Sequence, residues 1–593
     1  MGVDAETASA ERRPLLRLFV LAWEAAPSRV VAVMSAALVG GIAPSAIAWV
    51  SQQLIDAVDA GAGESARNWL VVEAVLMLLI VLAARIARAS HSVLAIRLGD
   101  LLRGRMLRWS MGLTLDEVSD EVRQSRLDRA RRQVRERPSL ALQHALGVAR
   151  DALVFGASAS LLVAISPVAL AAVVLTGVPL MGAQLRYARR LYELTHRQTV
   201  ARREQGYLEN VLTRERFAAE VRAHGFGEAL CRRHERIGDA IRSSSESLLR
   251  SEARVVGALG GAGVMVVYAC YVGVVAEAAS GRLSVGALAM ALVALRQTQS
   301  ALRTLAVDGA ALSQDRLHVA DMLVMATKGV NAYTGAKTSA PASGELRFED
   351  VSYRYPDATK DTLRNISFRV LPGEVLGLVG MNGAGKTTLL HLALGLIEPT
   401  RGRVAIGGVS PGELSPEGRA SLAAVVFQDF ARYKLGVDDV IALGDGSKDK
   451  SARRRAAERA QATFIQGLPK GFETRLGRTF PGGVDLSGGE WQKLALARAL
   501  LRDDARLRIF DEATSALDAE SEARVFADLV ASREGRVTLV AAHRLYTLHG
   551  ADQVIVLEDG AVAERGKPEE LLRGDGPYAR WHAMQRRGLT APD

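Results

Sequence analysis

The chain is poor in cysteine and in aromatic residues, and each shortage argues against a class of function. Its two cysteines, Cys231 and Cys270, have neither the spacing of a metal site nor that of a disulfide framework. Aromatic residues make up only 5% of the sequence, too few to interleave with basic residues along a nucleic-acid surface. Residues 1–11 are polar and lack the apolar core of a cleaved signal peptide. We therefore expect no nucleic-acid partner, no structural metal and no disulfide framework.

Length and composition indicate at least two domains of different polarity. With 593 residues the chain is too long for a single core. Hydrophobic residues make up 49% and the mean hydropathy is +0.10, although 24% of the residues are charged. This mixture predicts an apolar part joined to a polar part. The net charge of +10 fits either nucleic acid or an anionic membrane surface, and the positions of the basic residues decide between them.

Six apolar segments in the first half of the chain are each close to the roughly 20 residues that a bilayer-spanning helix needs. The third is short and has Arg150 and Asp151 at its inner end. Ser166-Pro167 predicts a tight outer turn between the third and fourth. We therefore predict a six-helix transmembrane domain. The segments are Val30–Val50, Trp69–Ile86, Ala152–Ile165, Val168–Leu185, Val255–Ala276 and Val285–Leu305.

Two long connections, His91–Leu146 and Arg186–Arg254, are polar, helical in pattern and rich in arginine. The positive-inside rule puts them in the cytoplasm, together with both termini. Arginine exceeds lysine and alanine is abundant, which suggests a bacterium with a GC-rich genome. The apolar segments then place the chain in the bacterial cytoplasmic membrane. Before the first segment, residues 12–23 form an amphipathic helix that lies either at the membrane interface or against protein. Topology thus accounts for much of the net charge.

The stretch Gly380-Met-Asn-Gly-Ala-Gly-Lys-Thr-Thr388 fits G-x-x-x-x-G-K-[ST] and lies between an apolar strand and a helix. Its glycines let backbone N–H groups turn inward around a polyphosphate, and the helix start adds its dipole. Lys386 would reach the β- and γ-phosphates, while the Thr387 hydroxyl would hold Mg²⁺. The motif therefore predicts that the chain binds ATP.

Residues 507–512 (LRIFDE) predict a strand that ends in two acids. Asp511 can hold the Mg²⁺ shell, and Glu512 can polarise the attacking water as general base. Arg508 lies inside what should be an apolar strand, so its side chain needs a partner or an exit. Upstream, Tyr355 precedes Pro356 at a strand end and is suited to stack on adenine, with Tyr353 as the alternative. The alternative interpretation is that these tyrosines only pack in the hydrophobic core.

A second anion site is predicted at Leu486-Ser-Gly-Gly-Glu490, where a serine and two glycines begin a helix. One nucleotide does not need two phosphate cradles. We therefore expect this second site to serve the nucleotide held by another copy of the chain.

With these motifs in place, residues Gly344–Tyr578 resemble the nucleotide-binding domain of ATP-binding cassette transporters. Residues Gly380–Thr388, called the phosphate loop below, are similar to the Walker A motif. Asp511-Glu512 is similar to Walker B with its catalytic glutamate, and Leu486–Glu490 is similar to the signature. Gln428 resembles the Q-loop glutamine, His543 the switch histidine, and Ser515-Ala-Leu-Asp518 the D-loop. The resemblance implies catalysis by Glu512, His543, Gln428 and Lys386, and a metal site formed by Thr387, Gln428 and Asp511. It implies that ATP is bound by Tyr355, Gly380, Asn382, Gly383, Ala384, Gly385, Lys386, Thr387 and Thr388, with Ser487, Gly488 and Gly489 from a second copy.

The membrane part is similar to the exporter type of the same family, with six helices and two long cytoplasmic loops. Residues Tyr207–Arg222 resemble its second coupling helix, and residues Leu115–Ala130 would hold the first. The fold class that this implies is an α-helical six-helix transmembrane domain fused to an α/β P-loop nucleotide-binding domain, in a domain-swapped exporter-type dimer. Because the catalytic residues are all present, we expect a homodimer. We divide the chain into residues 1–28, 29–327 (transmembrane), 328–344 (linker), 345–586 (nucleotide-binding) and 587–593.

Finer resemblance concerns the branch and the cargo. Phe427-Gln-Asp-Phe430 and residues 476–493 are similar to exporters of ribosomally made peptides such as lantibiotics. Val440 departs from this branch, in which asparagine is usual. The leading hypothesis is ATP-driven export of a peptide-like or amphipathic substrate. A lipid flippase or broad drug exporter with the same ATPase is the alternative, and an ATP-gated channel or sensor is a third.

Polar groups at membrane depth are costly and tend to face a cavity. Arg296, Gln299 and Arg303 share one helical face of the sixth segment, and Glu73 lies in the second. We select Arg296, Glu73 and Gln299 as candidates for the substrate pathway, since Arg303 could simply lie in cytosolic water.

Overall fold

A computed structural model describes residues 14–119, 127, 131, 134, 136–328, 341, 343–356, 358–513 and 519–586. The chain forms two compact units. The N-terminal unit comprises Met1–Met111 and Gln124–Val330, and the C-terminal unit comprises Gly112–Arg123 and Asn331–Asp593. The two units are described separately, and the linker predicted at 328–344 lies almost entirely outside the described residues.

The N-terminal unit is helical throughout its described residues. Ser166 caps one helix by accepting a hydrogen bond from the Ala169 amide at 3.4 Å, and Pro167 occupies the first helical position, so the tight turn predicted at Ser166-Pro167 is present. Pro44 and Pro179 lie inside helices. The helices are α1 (Pro14–Ala25), α2 (Pro27–Asp59), α3 (Gly63–Met111), α5 (Arg137–Ile165), α6 (Pro167–Arg197), α7 (Thr199–Thr213), α8 (Glu215–His224), α9 (Gly227–Ala279) and α10 (Val285–Lys328), with α4 (Leu115–Ser119) in the other unit.

Five of these helices are long and apolar enough to cross a membrane, namely α2, α3, α5, α6 and α9. The chain is therefore a multi-pass membrane protein. Helix α10, which contains the sixth predicted segment, is not among the five, because polar side chains including Arg296 and Gln299 interrupt its apolar stretch. In α3, none of the most apolar window is buried, as expected of a helix surface that contacts lipid.

The C-terminal unit is an α/β fold with two sheets. A three-stranded antiparallel sheet has the order β2-β1-β4, and a six-stranded sheet has the order β5-β6-β7-β3-β8-β9. The second sheet is parallel except for its last pair. The strands are β1 (Leu346–Tyr353), β2 (Leu363–Val370), β3 (Val375–Gly380), β4 (Arg401–Ile406), β5 (Ala423–Val426), β6 (Leu507–Asp511), β7 (Val537–Ala541), β8 (Gln553–Glu558) and β9 (Ala561–Gly566). The helices are α11 (Lys386–Ala393), α12 (Pro416–Leu422), α13 (Val437–Ala442), α14 (Lys450–Arg459), α15 (Gly488–Leu500), α16 (Ala519–Ala531), α17 (Pro568–Arg573) and α18 (Pro577–Arg586).

Strands β6 and β7 are buried at every residue, as parallel strands covered on both faces are. Arg508 of β6 is only 2% exposed, and the structure shows its partner. Its Nη1 donates to the Ser532 hydroxyl at 2.7 Å and to the Ser532 carbonyl at 3.2 Å, just after α16 ends. Burial lowers the pKa of Arg508 to about 10. The guanidinium is therefore stabilised by the end of a helix, where cations are favoured.

Helix α4 clusters with the C-terminal unit although it follows the membrane helix α3 in sequence. The Leu115 amide donates to the Leu396 carbonyl at 3.3 Å, and the Tyr353 hydroxyl donates to Asp116 Oδ1 at 2.8 Å. Of the range predicted to hold the first coupling helix, Leu115–Ala130, only Leu115–Ser119 forms this helix, and most of the remainder lies outside the described residues. The range predicted as the second is interrupted at Arg214, between α7 and α8.

Candidate nucleotide site

The phosphate loop runs from the end of β3 to the start of α11, as its sequence predicts. Gly383 and Gly385 have φ angles of 79° and 100°, which residues with a side chain rarely adopt. A Cβ at Gly385 would lie 2.6 Å from Leu363 Cδ2, and one at Gly380 would lie 2.7 Å from the Leu557 carbonyl oxygen. Backbone conformation and close packing both require glycine in this loop.

Lys386 is 7% exposed, and its ammonium group lies over the phosphate loop. The Nζ donates to the Gly380 carbonyl at 2.7 Å and to the Met381 carbonyl at 3.3 Å. Burial lowers the pKa of Lys386, while Glu512 and Asp511 raise it. The ammonium is thus held by neutral carbonyl acceptors in the loop where a polyphosphate would meet it. Asn382, Ala384 and Thr388 lie in or directly after the same loop.

Asp511 ends β6 and is 1% exposed. Its Oδ2 accepts a hydrogen bond from the Thr387 hydroxyl at 3.0 Å. Its Oδ1 is buried and has no hydrogen-bond partner among the described residues. Burial raises the pKa of Asp511, and the Thr387 hydrogen bond opposes this effect. A buried carboxylate oxygen without a partner, beside a hydroxyl, fits the hard oxygen ligands that Mg²⁺ prefers.

Glu512 is held by two side chains, one on each carboxylate oxygen. Gln428 Nε2 donates to Oε2 at 2.7 Å, and His543 Nε2 lies 2.5 Å from Oε1. Burial raises the pKa of Glu512, whereas His543 and Lys386 lower it. The structure therefore brings Gln428, Lys386, Asp511, Glu512 and His543, predicted from separate motifs, into one cluster.

Two glutamines that were not among the predicted site residues support this cluster. Gln492 of α15 is 3% exposed and donates from Nε2 to the Glu512 carbonyl at 3.1 Å. Gln585 of α18 donates to the His543 carbonyl at 2.6 Å. The sequence contained a signal for Gln492. Its amide side chain lies among leucines and alanines near the start of a helix whose other buried residues are apolar. No comparable signal marked Gln585.

The structure separates the two candidate adenine-stacking tyrosines. Tyr353 is 2% exposed and its hydroxyl is occupied by Asp116, whereas Tyr355 is 38% exposed. The Tyr355 hydroxyl lies 3.1 Å from Thr388 Oγ1, next to the phosphate loop. The two rings meet edge to face with centroids 4.9 Å apart. Exposure therefore favours Tyr355 as the stacking residue, which stays a prediction.

Ser487 begins α15 and forms a capping box with Glu490. Ser487 and Gly488 are exposed and Gly489 is half-buried, and the described hydrogen bonds connect none of the three to the phosphate loop. Their contact with a nucleotide held by another copy thus stays a prediction. Asp518, predicted in the D-loop, lies outside the described residues.

In the N-terminal unit, a cavity of about 790 Å³ lies between α6, α9 and α10. Arg296 and Gln299 line it, together with Arg303 and Gln184. The third candidate, Glu73, lies elsewhere, where it accepts a hydrogen bond from the Ser51 hydroxyl at 3.1 Å. The structure thus brings two of the three candidate pathway residues together.

Comparison with known families identifies the C-terminal unit. Residues 363–515 match the family model described as ABC transporter. The matched range contains the phosphate loop, Gln428, the signature and both acids. This segment is therefore similar to the domain that ABC transporters share.

Curated relatives match over part of their length. An ATP-dependent lipid A-core flippase of Cupriavidus pinatubonensis is 42% identical over 248 residues, 41% of this chain and 41% of the relative. The flippase of Ralstonia nicotianae is 44% identical over 255 residues, 42% of each chain. That of Pseudomonas aeruginosa is 43% identical over 244 residues, 41% of this chain and 40% of the relative. The match thus spans about two fifths of these proteins, and their names do not support the predicted lantibiotic branch.

Among solved structures, a bacterial Atm1-family ABC exporter with ATP bound matches with a TM-score of 0.80 and 22% identity. The match covers 95% of this chain and 99% of that one. The predicted exporter fold, a helical transmembrane region fused to an α/β nucleotide-binding domain, is therefore confirmed.

Proposed function

We propose that the chain is one half of an ATP-driven exporter in a bacterial cytoplasmic membrane, with an amphipathic, lipid-like substrate. The observation that carries the ATPase part is the cluster in which Gln428 and His543 hold Glu512 beside Asp511. Four segments distant in sequence converge there at the carboxyl ends of parallel strands, where such folds bind ligands.

The roles within the cluster follow from its geometry. Lys386 lies over the phosphate loop and is placed to bind the β- and γ-phosphates. Thr387 and Asp511 would hold Mg²⁺, which neutralises charge developing on the phosphates when it is bound. Glu512 is the general base that orients the attacking water. Its raised pKa makes it a better proton acceptor than an exposed glutamate. Gln428 and His543 fix the direction of its carboxylate.

A second copy of the chain would complete each nucleotide pocket. Ser487 and Gly488 are exposed at the start of α15, where backbone N–H groups and the helix dipole favour an anion. Apart from the capping box between Ser487 and Glu490, the described hydrogen bonds connect neither residue to the phosphate loop. The second copy would present these residues to the γ-phosphate held by Lys386.

The cavity of the N-terminal unit indicates what the substrate offers. Arg296 and Arg303 supply positive charge and Gln299 supplies an amide, while glycine, valine and leucine supply apolar wall. Such a lining suits a molecule with an anionic or polar head and an apolar tail. The lipid A-core flippases among the relatives favour the lipid alternative over a peptide, which remains the second candidate because of the resemblance around Phe427–Phe430.

The test is reconstitution of the full chain in proteoliposomes with an anionic glycolipid or, separately, an amphipathic peptide. We expect the glycolipid to stimulate ATP hydrolysis and to cross the bilayer, and Arg296→Gln to reduce both effects. Glu512→Gln supplies the inactive control. Stimulation and transport of the peptide alone would establish the second candidate. Hydrolysis without movement of either substrate would contradict the exporter proposal.

A further inference from the structure

Helix α18 lies against the loop that carries His543, and the proposed hydrolysis chemistry does not explain this contact. Tyr578 and Trp581 of the helix are 0% and 8% exposed, and they belong to the same buried cluster as Leu545. Gln585 follows Tyr578 by seven residues and Trp581 by four, so the three side chains share one face of the helix. The face of α18 that packs on the core therefore also presents Gln585 to this loop.

Gln585 uses both ends of its amide in the contact. Its Nε2 donates to the His543 carbonyl at 2.6 Å, and its Oε1 accepts from the Leu545 amide at 3.0 Å. A side-chain amide has the same donor and acceptor as a peptide group, so Gln585 pairs with the loop as a neighbouring peptide group would. Leu545 begins a short 3₁₀ helix, whose first N–H groups need acceptors from outside the helix. Gln585 thus supplies one of these acceptors and fixes the backbone on both sides of Arg544.

Helix α16 holds the same loop through side chains. Glu522 of this helix is 2% exposed, and its Oε2 accepts from Arg544 Nη1 at 2.9 Å and from the Tyr546 hydroxyl at 3.2 Å. We call residues 543–546 the switch loop. Gln585 binds the backbone of its first and third residues, and Glu522 binds the side chains of its second and fourth. Two helices therefore fix the switch loop at alternate residues.

The His543 ring depends on this support, because its surroundings leave it free to turn. The His543 side chain is 46% exposed, and its Nε2 meets Glu512 Oε1 at 2.5 Å. An exposed side chain can change rotamer readily, since no packed neighbour blocks the alternatives. The position of the backbone therefore decides whether the ring reaches Glu512.

We propose that Gln585 is a positioning residue for ATP hydrolysis, through which α18 sets the place of His543 by holding the backbone of the switch loop. The proposal rests on the proposed function, because it takes His543 to act at the nucleotide. The hydrogen bonds of Gln585 go to the switch loop and not to the phosphate loop or to Glu512. Loss of its amide should therefore slow hydrolysis and leave the binding of ATP unchanged.

The first test is ATP hydrolysis by the purified full chain with Gln585→Met, which keeps the length of the side chain and removes both hydrogen bonds. We expect kcat to fall about tenfold, less than the roughly 100-fold that a 1 Å displacement can cost, with the KM for ATP unchanged. Gln585→Glu removes the donor alone and should also lower kcat. A kcat near the wild-type value in both variants, or a higher KM with an unchanged kcat, would overturn the proposal.

The matched control is Gln553→Met. Gln553 lies at the amino end of β8, the edge of the sheet opposite the nucleotide site, and its amide oxygen accepts from Arg565. The same substitution there should leave both kcat and KM unchanged. A fall in kcat equal to that of Gln585→Met would show that the loss is not specific to the switch loop and would contradict the proposal.

A double variant separates positioning from a general loss of stability. If Gln585 acts through His543, Gln585→Met should add nothing to the loss of kcat that His543→Ala already causes. A side chain that only stabilised the domain would act independently of His543, so the two losses would multiply. Multiplied losses would therefore refute the positioning role.

Hydrogen exchange measures the contact without turnover. The Leu545 amide donates to Gln585, so it should exchange about 2- to 10-fold faster in Gln585→Met, while the amides of β7 keep their protection. An unchanged rate at Leu545 would overturn the proposal. Faster exchange at Leu545 together with full hydrolysis by His543→Ala, or with none by the wild type, would count against the proposed function and not against the hold of α18 on the switch loop.

Discussion

Tyr353 links helix α4 to the wall of the nucleotide site, and removing its hydroxyl tests that link. The hydroxyl donates to Asp116 at 2.8 Å, and its ring packs edge to face on Tyr355. Burial first, and then the hydrogen bond to Asp116, raise the pKa of Tyr353, so the phenol stays protonated and donates. Tyr353→Phe removes the donor and keeps the ring, so no cavity forms.

The size of the effect follows from the charge and exposure of the acceptor. A hydrogen bond to a charged group contributes about 1.5–3 kcal/mol. Asp116 is half-exposed, so water can replace the lost donor, and we expect an effect at or just below the lower end of this range, about 1–1.5 kcal/mol. That corresponds to roughly a tenfold weaker contact between α4 and β1. Because α4 follows the membrane helix α3 directly, the loss should reduce the effect of transported substrate on ATP hydrolysis.

The assay compares substrate-stimulated with basal ATP hydrolysis in proteoliposomes. We expect Tyr353→Phe to lower the stimulated part while the KM for ATP changes little. Asp116→Ala should have the same effect, and the double variant should be no worse than either single one, because both remove one interaction. Fully additive losses, or a rise in KM equal to that of Tyr355→Ala, would refute this reasoning.

Three further predictions concern the C-terminal unit. Glu512→Gln should abolish turnover and leave ATP-bound dimers trapped, seen by size-exclusion chromatography; near-normal hydrolysis would remove Glu512 from its role. Tyr355→Ala should raise the KM for ATP several-fold by loss of stacking, and an unchanged KM would exclude it as the stacking residue. Ser532→Ala should lower the Tm, since it removes an acceptor from a buried guanidinium at a cost of about 1–3 kcal/mol. Adding Arg508→Met to this variant should restore the Tm. A Tm that Ser532→Ala leaves unchanged would show that water replaces the serine.

Much of the nucleotide site could be predicted because its chemistry is local in sequence. The phosphate loop needs glycine where φ is positive or space is absent, and the structure shows those needs at Gly380, Gly383 and Gly385. The two acids were predicted at the end of a strand, and β6 ends at Asp511. Parallel strands collect such ends at one edge of the sheet, so the convergence of the motifs followed from the topology.

Side-chain pairs between distant elements could not be predicted, because no local pattern encodes them. Gln585 reaches the site from α18, and the partner of Arg508 follows α16. The lengths of the helices were not predicted either, since they extend well beyond the apolar segments: α3 runs for 49 residues, Gly63–Met111.

The resemblance to peptide exporters led us to predict a peptide substrate from the nucleotide-binding domain, which carries little information about the substrate. Its motifs serve ATP and are shared by transporters of different substrates. Under the proposed function the substrate would be contacted by the other unit, where the lining of the cavity is partly basic and partly apolar. The alternative of a lipid substrate is therefore the one that the relatives favour.

The backbone of Glu512 has a φ angle of 49°, which lies in the left-handed region. Residues other than glycine and asparagine rarely adopt this conformation. The fold accepts a penalty of about 1 kcal/mol or more at this position. Selection of variants for heat resistance alone should therefore favour glycine or asparagine there. The more thermostable variants obtained in this way would not hydrolyse ATP. Thermal stability and catalytic turnover therefore make opposite demands on this one residue.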